Sequence, residues 1–211
     1  MATEVSSRRM VPARRSQDRL TRAILEVAGR VPPTEEQASA TPERRAQAIA
    51  RAAASRAALA AGALALPPGP LGWFTVLPEL SAIWQIQRRM VADIAGAYGV
   101  TADLTRSQML YCLFRHATAQ ALRDLGVQVG ARLLIQEAPL RVLEQVARRI
   151  GVGLSRGVAA RGLARWLPAV GTLGIGAYAY YDTRQVARTA TILFGAAAAA
   201  RAEAEAAVQA D

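Results

Sequence analysis

The sequence predicts an all-α fold, a single helical domain of about six to eight helices with two apolar turns broken by proline and glycine. Three observations point there. Apolar residues make up 52% of the 211 residues, with much of that fraction alanine and only 5% aromatic. Alanine favours helices and lets them approach closely. Apolar residues recur at intervals of three and four, and no run alternates with period two between turn dipeptides.

Taken in order, residues 1–40 read as a flexible basic N-terminal arm with one short amphipathic helix. In "SQDRLTRAILEVAGRV", Leu20, Ala23, Ile24, Val27, Ala28 and Val31 share a face. "PPTEEQASA", residues 32–40, reads as a polar linker, with Thr34–Gln37 solvated. The main domain is expected over 41–196. Thr41 can cap its first helix, Pro42 suits the first helical position and Glu43 meets the positive end of the dipole. This helix should reach about Leu66, where prolines stop it.

The next helix is expected to begin near Pro78 and Glu79. Leu80, Ile83, Trp84, Val91, Ile94, Ala95 and Tyr98 form its stripe, and Gly99 ends it. Gln87 falls on the stripe and would need a partner if buried. After a connector, with Thr105 as cap, "RSQMLYCLFRHATAQALRDLG" presents Leu110, Leu113, Phe114, Ala117, Ala121 and Leu125. A glycine-broken helical region over 127–166 follows, then a helix after Pro168. Residues 197–211 read as an alanine-rich, fraying tail.

A weak internal echo is present. Pro68 is followed by Trp84, Arg88, Tyr98 and Gly99, and Pro168 by Tyr180, Arg184, Phe194 and Gly195. The two series differ by a constant four residues, close to one helical turn, as in a pseudo-repeat.

Two uncharged runs decide the functional reading. Ala57–Pro78 holds 22 uncharged residues, nearly enough to span a bilayer, but Pro67, Pro68, Gly69 and Pro70 divide it. Trp166–Tyr181 holds 16, with Pro168, Gly171, Gly174 and Gly176 inside. Backbone groups freed by such breaks need partners that lipid cannot supply. Both runs therefore read as turns. They could be buried in a helical core, wedged into one face of a membrane, or, least in keeping with the breaks, span it.

The formal net charge is +10, and every basic residue is arginine. Arg8, Arg9, Arg14, Arg15, Arg19 and Arg22 crowd the arm. Arg44, Arg45, Arg51 and Arg56 precede the first apolar turn, and Arg148, Arg149, Arg156, Arg161 and Arg165 the second. Arginine beside an apolar segment fits an anionic leaflet, and Trp73, Trp84, Trp166, Tyr178, Tyr180 and Tyr181 fit an interfacial belt; a solvated face over core aromatics accounts for them equally well. The candidate lipid contacts are Pro67, Pro68, Leu71, Trp73, Phe74, Trp166, Leu167, Leu173 and Tyr178. The candidate headgroup contacts are Arg44, Arg45, Arg51, Arg56, Arg148, Arg149, Arg161 and Arg165.

No reaction is legible. His116 is the single histidine and Cys112 the single cysteine. At i,i+4 they face one another, yet an apolar context and the lack of a third orienting residue favour a small buried cysteine. No metal ligands or carboxylate pairs cluster, so no catalytic, metal or cofactor site is expected. Nucleic acid is disfavoured: basic and aromatic residues do not interleave, and no recognition module is present. The N-terminus has no apolar run after its basic residues, so a cytoplasmic location is expected, peripheral to the inner face of the cell membrane.

"LPPGPLGWFTVLPELSAIWQIQRRMVADIAGAYG" resembles the first signature of the EcsC family: a Pro/Gly turn, an apolar helix, then a basic helix ending Tyr-Gly. "LARWLPAVGTLGIGAYAYYDTRQVARTATILFG" resembles the second. The resemblance covers about residues 50–196. It implies an all-helical bacterial protein associated with an ABC-transporter operon, and it brings no catalytic residues. The expected function is a non-enzymatic peripheral membrane or lipid-binding accessory protein. The alternatives are an interaction helper for an ABC transporter or secretion system and, less in keeping with the sequence, an enzyme of unrecognised type.

Overall fold

The computed structural model describes residues 31–64, 72–114 and 168–209, with the single positions 22, 26 and 148; side-chain surroundings are defined for 31–63, 81–114 and 174–209. Among these residues the chain is all-α and contains no strand. Four α-helices are described: α1 Pro42–Leu64, α2 Gly72–Ala97, α3 Arg106–Leu113 and α4 Pro168–Gln209. A 3₁₀ turn, Thr101–Asp103, precedes α3.

Helix α1 is a stave of small residues. Ala46, Ala50, Ala53, Ala57 and Ala61, with Ile49 and Ala54, are buried at intervals of three and four. Methyl-sized side chains bring neighbouring backbones close together. At Gly176 of α4, a Cβ atom would lie 3.2 Å from the Ala58 carbonyl oxygen, so α1 and α4 nearly touch there.

The core gives the helix directions. Ala57 and Ala61, late in α1, cluster with Ile83 and Ala179, early in α2 and α4. Ala46, Ile49, Ala50 and Ala53 share the larger core with Met90, Val91, Ile94, Val186, Ala187, Ala190 and Phe194. Helix α1 is therefore antiparallel to both α2 and α4, which run parallel to each other. They are also in register. Gln87 Nε2 donates to Thr183 Oγ1 at 3.2 Å and to Asp182 Oδ2 at 2.8 Å. Tyr98 lies against Gly195, 3.6 Å from where a Cβ would stand. The echo positions Trp84 and Tyr180, Arg88 and Arg184, Tyr98 and Phe194, and Gly99 and Gly195 are each 96 residues apart, as are Gln87 and Thr183. The echo thus lies on two helices side by side.

The two glycines of the echo act differently. Gly99 closes α2 in the left-handed region, at φ +71°. Its N–H donates to the Gly96 carbonyl at 2.8 Å and that of Val100 to the Ala95 carbonyl at 3.0 Å, the paired hydrogen bonds of a Schellman cap. Gly195 lies within α4 and leaves room for the Tyr98 ring.

Several boundaries differ from expectation. Helix α2 starts at Gly72, not near Pro78, although Pro78 removes the N–H that would bond the carbonyl of Phe74. The segment after Pro168 is helix from its first residue, not a Pro/Gly turn: proline suits a helix start, and close contact with α1 offsets the weak propensity of Gly176. The alanine tail continues α4 to Gln209, with Arg201 near Asp103 and Glu205, each at 3.4 Å. Thr105 caps α3 as expected, in a reciprocal pair with Gln108. The first Pro/Gly turn at 65–71, the helix before residue 31, and the expected helices beyond Phe114 and over 127–166 lie outside the described residues.

Residues 32–40 are a docked strap instead of a solvated linker. The Thr34 hydroxyl donates to Asp93 Oδ1 at 2.6 Å, and the Ser39 N–H to the Ala97 carbonyl at 2.9 Å. The Glu36 carbonyl lies where a Cβ on Gly96 would come within 2.6 Å. Val31 packs on the core. A polar composition permits docking here because these polar groups find partners.

Gly96→Ala should dislodge the strap and cost about 1–3 kcal/mol of unfolding free energy, whereas Gly195→Ala meets only ordinary contact and should gain up to ~1 kcal/mol. Denaturant melts of the two variants check both signs. Gln87 is 1% exposed, and Gln87→Leu leaves Asp182 and Thr183 without its amide, so the same melts should show a loss of about 1–3 kcal/mol.

Candidate functional site

Because α1 opposes the other two long helices, its end at Leu64 lies at the same end of the bundle as the starts of α2 at Gly72 and α4 at Pro168. Each helix is uncharged there. Residues 57–64 of α1, 72–78 of α2 and 168–181 of α4 carry no charged side chain. The remaining parts of α1, α2 and α4 carry Arg44, Arg45, Arg51 and Arg56, then Glu79, Arg88, Arg89 and Asp93, then Asp182, Arg184, Arg188 and Arg201 among others, with Glu79 only seven residues from the start of α2. Charge is sorted along the bundle axis, and the two apolar runs, about 100 residues apart in sequence, converge on one end.

The surface near that end is apolar and aromatic. Leu59 on α1 is 74% exposed, and Tyr178 and Tyr181 on α4 are 54% and 62% exposed. Tyr180, four residues after Gly176, is also exposed. Leu59 follows Ala58 by one residue and points off the buried alanine stripe. Its place was not singled out in the sequence, although its position outside the 46, 50, 53, 57, 61 series is a legible sign.

Among the nine candidate lipid contacts, Tyr178 is exposed on α4. The backbone places Trp73 and Phe74 in the first turn of α2 and Leu173 in the second turn of α4. Pro67, Pro68, Leu71, Trp166 and Leu167 lie outside the described residues. Trp84 does not join an aromatic belt. It is buried and meets the Phe114 ring edge-to-face, centroids 5.5 Å apart at 81°, because it falls on the core stripe of α2.

The candidate headgroup arginines spread along α1 instead of gathering at the apolar end. Arg44, Arg51 and Arg56 are exposed, and Arg56 Nε donates to the Ala52 carbonyl at 3.3 Å. Arg45 is held by the strap, with Nε donating to Glu36 Oε1 at 2.7 Å and Nη2 to Oε2 at 2.8 Å, a bidentate pair. Arg148 is exposed; Arg149, Arg161 and Arg165 lie outside the described residues.

The chemistry-bearing residues do not assemble among the described residues. Cys112 is buried, and burial pushes its thiol far above the usual range, so it stays protonated. His116, its partner at i,i+4, lies outside the described residues. No group of three His, Cys, Asp or Glu side chains is placed to hold a metal there, and no helix there is long and apolar enough to cross a membrane. The chain matches no protein-family model, no curated protein and no solved structure. The resemblance to EcsC proteins rests on the two quoted stretches alone.

The hydrogen bond from Arg45 holds the Glu36 carboxyl below its ordinary 4.5, with the Arg45 charge adding to it against the opposing effect of burial. A carboxylate so lowered stabilises the fold above its unfolded pKa and loses that contribution as pH falls through the folded value. The stability difference between the native chain and Glu36→Gln should therefore be present at pH 7, shrink below about pH 4.5 and vanish in stronger acid. Thermal melts across that range check it.

Proposed function

We propose that this protein is a non-enzymatic, peripheral membrane or lipid-binding accessory protein of the EcsC type, working at the inner face of the cell membrane. The observation that carries this reading is the axial sorting of charge: three helices present uncharged ends together, and the arginines lie further along the same bundle. A bundle buried on all sides in water has no need for that division. A net charge of +10 adds attraction to an anionic leaflet, at about 1 kcal/mol per cation near the surface. Tyrosines such as Tyr178 and Tyr181 suit the interface, with an apolar ring and a polar tip. The finer architecture fits the same role: a domain of about six to eight helices whose two apolar segments belong to a pseudo-repeat.

Flotation of the purified protein with phosphatidylglycerol-containing and purely zwitterionic liposomes, at low and high salt, tests the proposal. Binding to the anionic liposomes that weakens with salt supports it. Resistance to a carbonate wash marks insertion of the apolar end. Absence of flotation under every condition overturns it and favours a helper that docks on a transporter or secretion component.

A further inference from the structure

We propose that the outward face of α4 is the interface of an antiparallel homodimer, in which Arg188 of each copy meets Glu203 of the other. The inward face of α4 buries Val186, Ala187, Ala190 and Phe194 in the core. About half a turn away, at helical spacing, lie Arg188, Ile192, Ala196, Ala199 and Glu203, all exposed. Ile192 is 68% exposed, and Tyr181, at 62%, continues the line toward the start of the helix. A helix with apolar residues on two opposite faces calls for a second neighbour.

The charges on this line identify the neighbour. Arg188 and Glu203 stand equally far from the midpoint between Gly195 and Ala196, as do Ile192 and Ala199. A two-fold axis across α4 at that midpoint sets Arg188 against the partner's Glu203 twice over. It also lays Ile192 on the partner's Ala199, large against small, with small residues at the centre that let the backbones approach closely. Parallel pairing would instead set arginine on arginine and glutamate on glutamate, which like charges oppose. The flanking charges tolerate the antiparallel register: Asp182 and Arg184 come level with the uncharged Gln209 and Ala207. Arg201 and Glu205 lie off the line and near one another at 3.4 Å, with Arg201 also 3.4 Å from Asp103 of its own bundle.

The tail of α4 gains most from this pairing. Residues 201–209 are exposed at every position. So short a stretch is marginal as an isolated helix, which needs about 12–15 residues. In the dimer it lies along residues 182–190 of the partner's α4, the part that Val186 and Ala190 anchor in the core. The paired length, from Asp182 to Gln209, is about 40 Å at ~1.5 Å per residue.

Sedimentation equilibrium of the full chain over a wide range of concentrations tests the pairing, with the native chain expected to dimerise. Arg188→Glu and Glu203→Arg alone should each weaken the dimer about tenfold or more, because each sets like charges together. The double variant Arg188→Glu/Glu203→Arg should return to within about threefold of the native chain, since the pair is only exchanged. Ile192→Asp should dissociate the dimer through the apolar contact. All three positions are exposed, so far-UV circular dichroism should show native helix content in every variant. A chain that stays monomeric at every concentration overturns the proposal. So does a dimer that tolerates both single reversals, or one that the double reversal fails to restore.

Discussion

The close contact of α1 with its two neighbours is the constraint on which the rest of the structure depends. Its buried face is alanine at every position but Ile49. Such a face brings little transfer free energy per residue, because a methyl group has little area to remove from water. What it provides is proximity. With small side chains between backbones, the larger residues of α2 and α4, Met90, Ile94, Val186 and Phe194, can meet around it in one core. A leucine at Ala53 or Ala57 would hold the helices apart and open that core. The strap works at the other margin of the same packing. It fixes the Gly96 end of α2 with hydrogen bonds to Asp93 and Ala97 and reaches α1 through Arg45.

One antiparallel stave between two parallel helices has a consequence for charge. Antiparallel packing reverses the order of residues on α1 relative to its neighbours. A helix that begins basic and ends uncharged then matches helices that begin uncharged and become charged. Neither apolar run alone is long enough, unbroken, to serve as a span. Their convergence makes an apolar end of a size neither segment has in sequence.

Much of the architecture was legible from periodicity. The buried stripe of α2 was read at Ile83, Trp84, Val91, Ile94 and Ala95, and Gln87 found the partners its position demanded. Gly99 and Thr105 were readable because caps are local chemistry. What failed was weighted towards proline, glycine and polarity. Pro78 did not delay α2, and Gly171, Gly174 and Gly176 did not break α4, since propensity is a weak prior beside tertiary contact. The strap was read as solvent-facing because Thr34 and Glu36 are polar, but their partners, Asp93 and Arg45, come from different helices. For the candidate site, the residue types were legible and their arrangement was not. Nothing in the arginine spacing distinguishes Arg56, near the apolar end, from Arg45, held by Glu36; that difference arises only when the helices are placed.

The parallel register of α2 and α4 ties these points together. Parallel helices cannot be joined by a short loop, so a long connection must carry the chain back to the end where it began. That costs closure entropy, which rises only slowly with length. In return, positions 96 residues apart become neighbours, and one polar contact, Gln87 with Thr183, can set the register of both helices. A buried amide is costly without partners, so a slip of either helix by one turn would strand Gln87 in an apolar core. The register in turn fixes the heights at which both helices begin. A common height for Gly72 and Pro168 is what turns two separate apolar segments into a single face, and the amide that enforces it meets α4 just beyond its uncharged stretch, at Asp182 and Thr183.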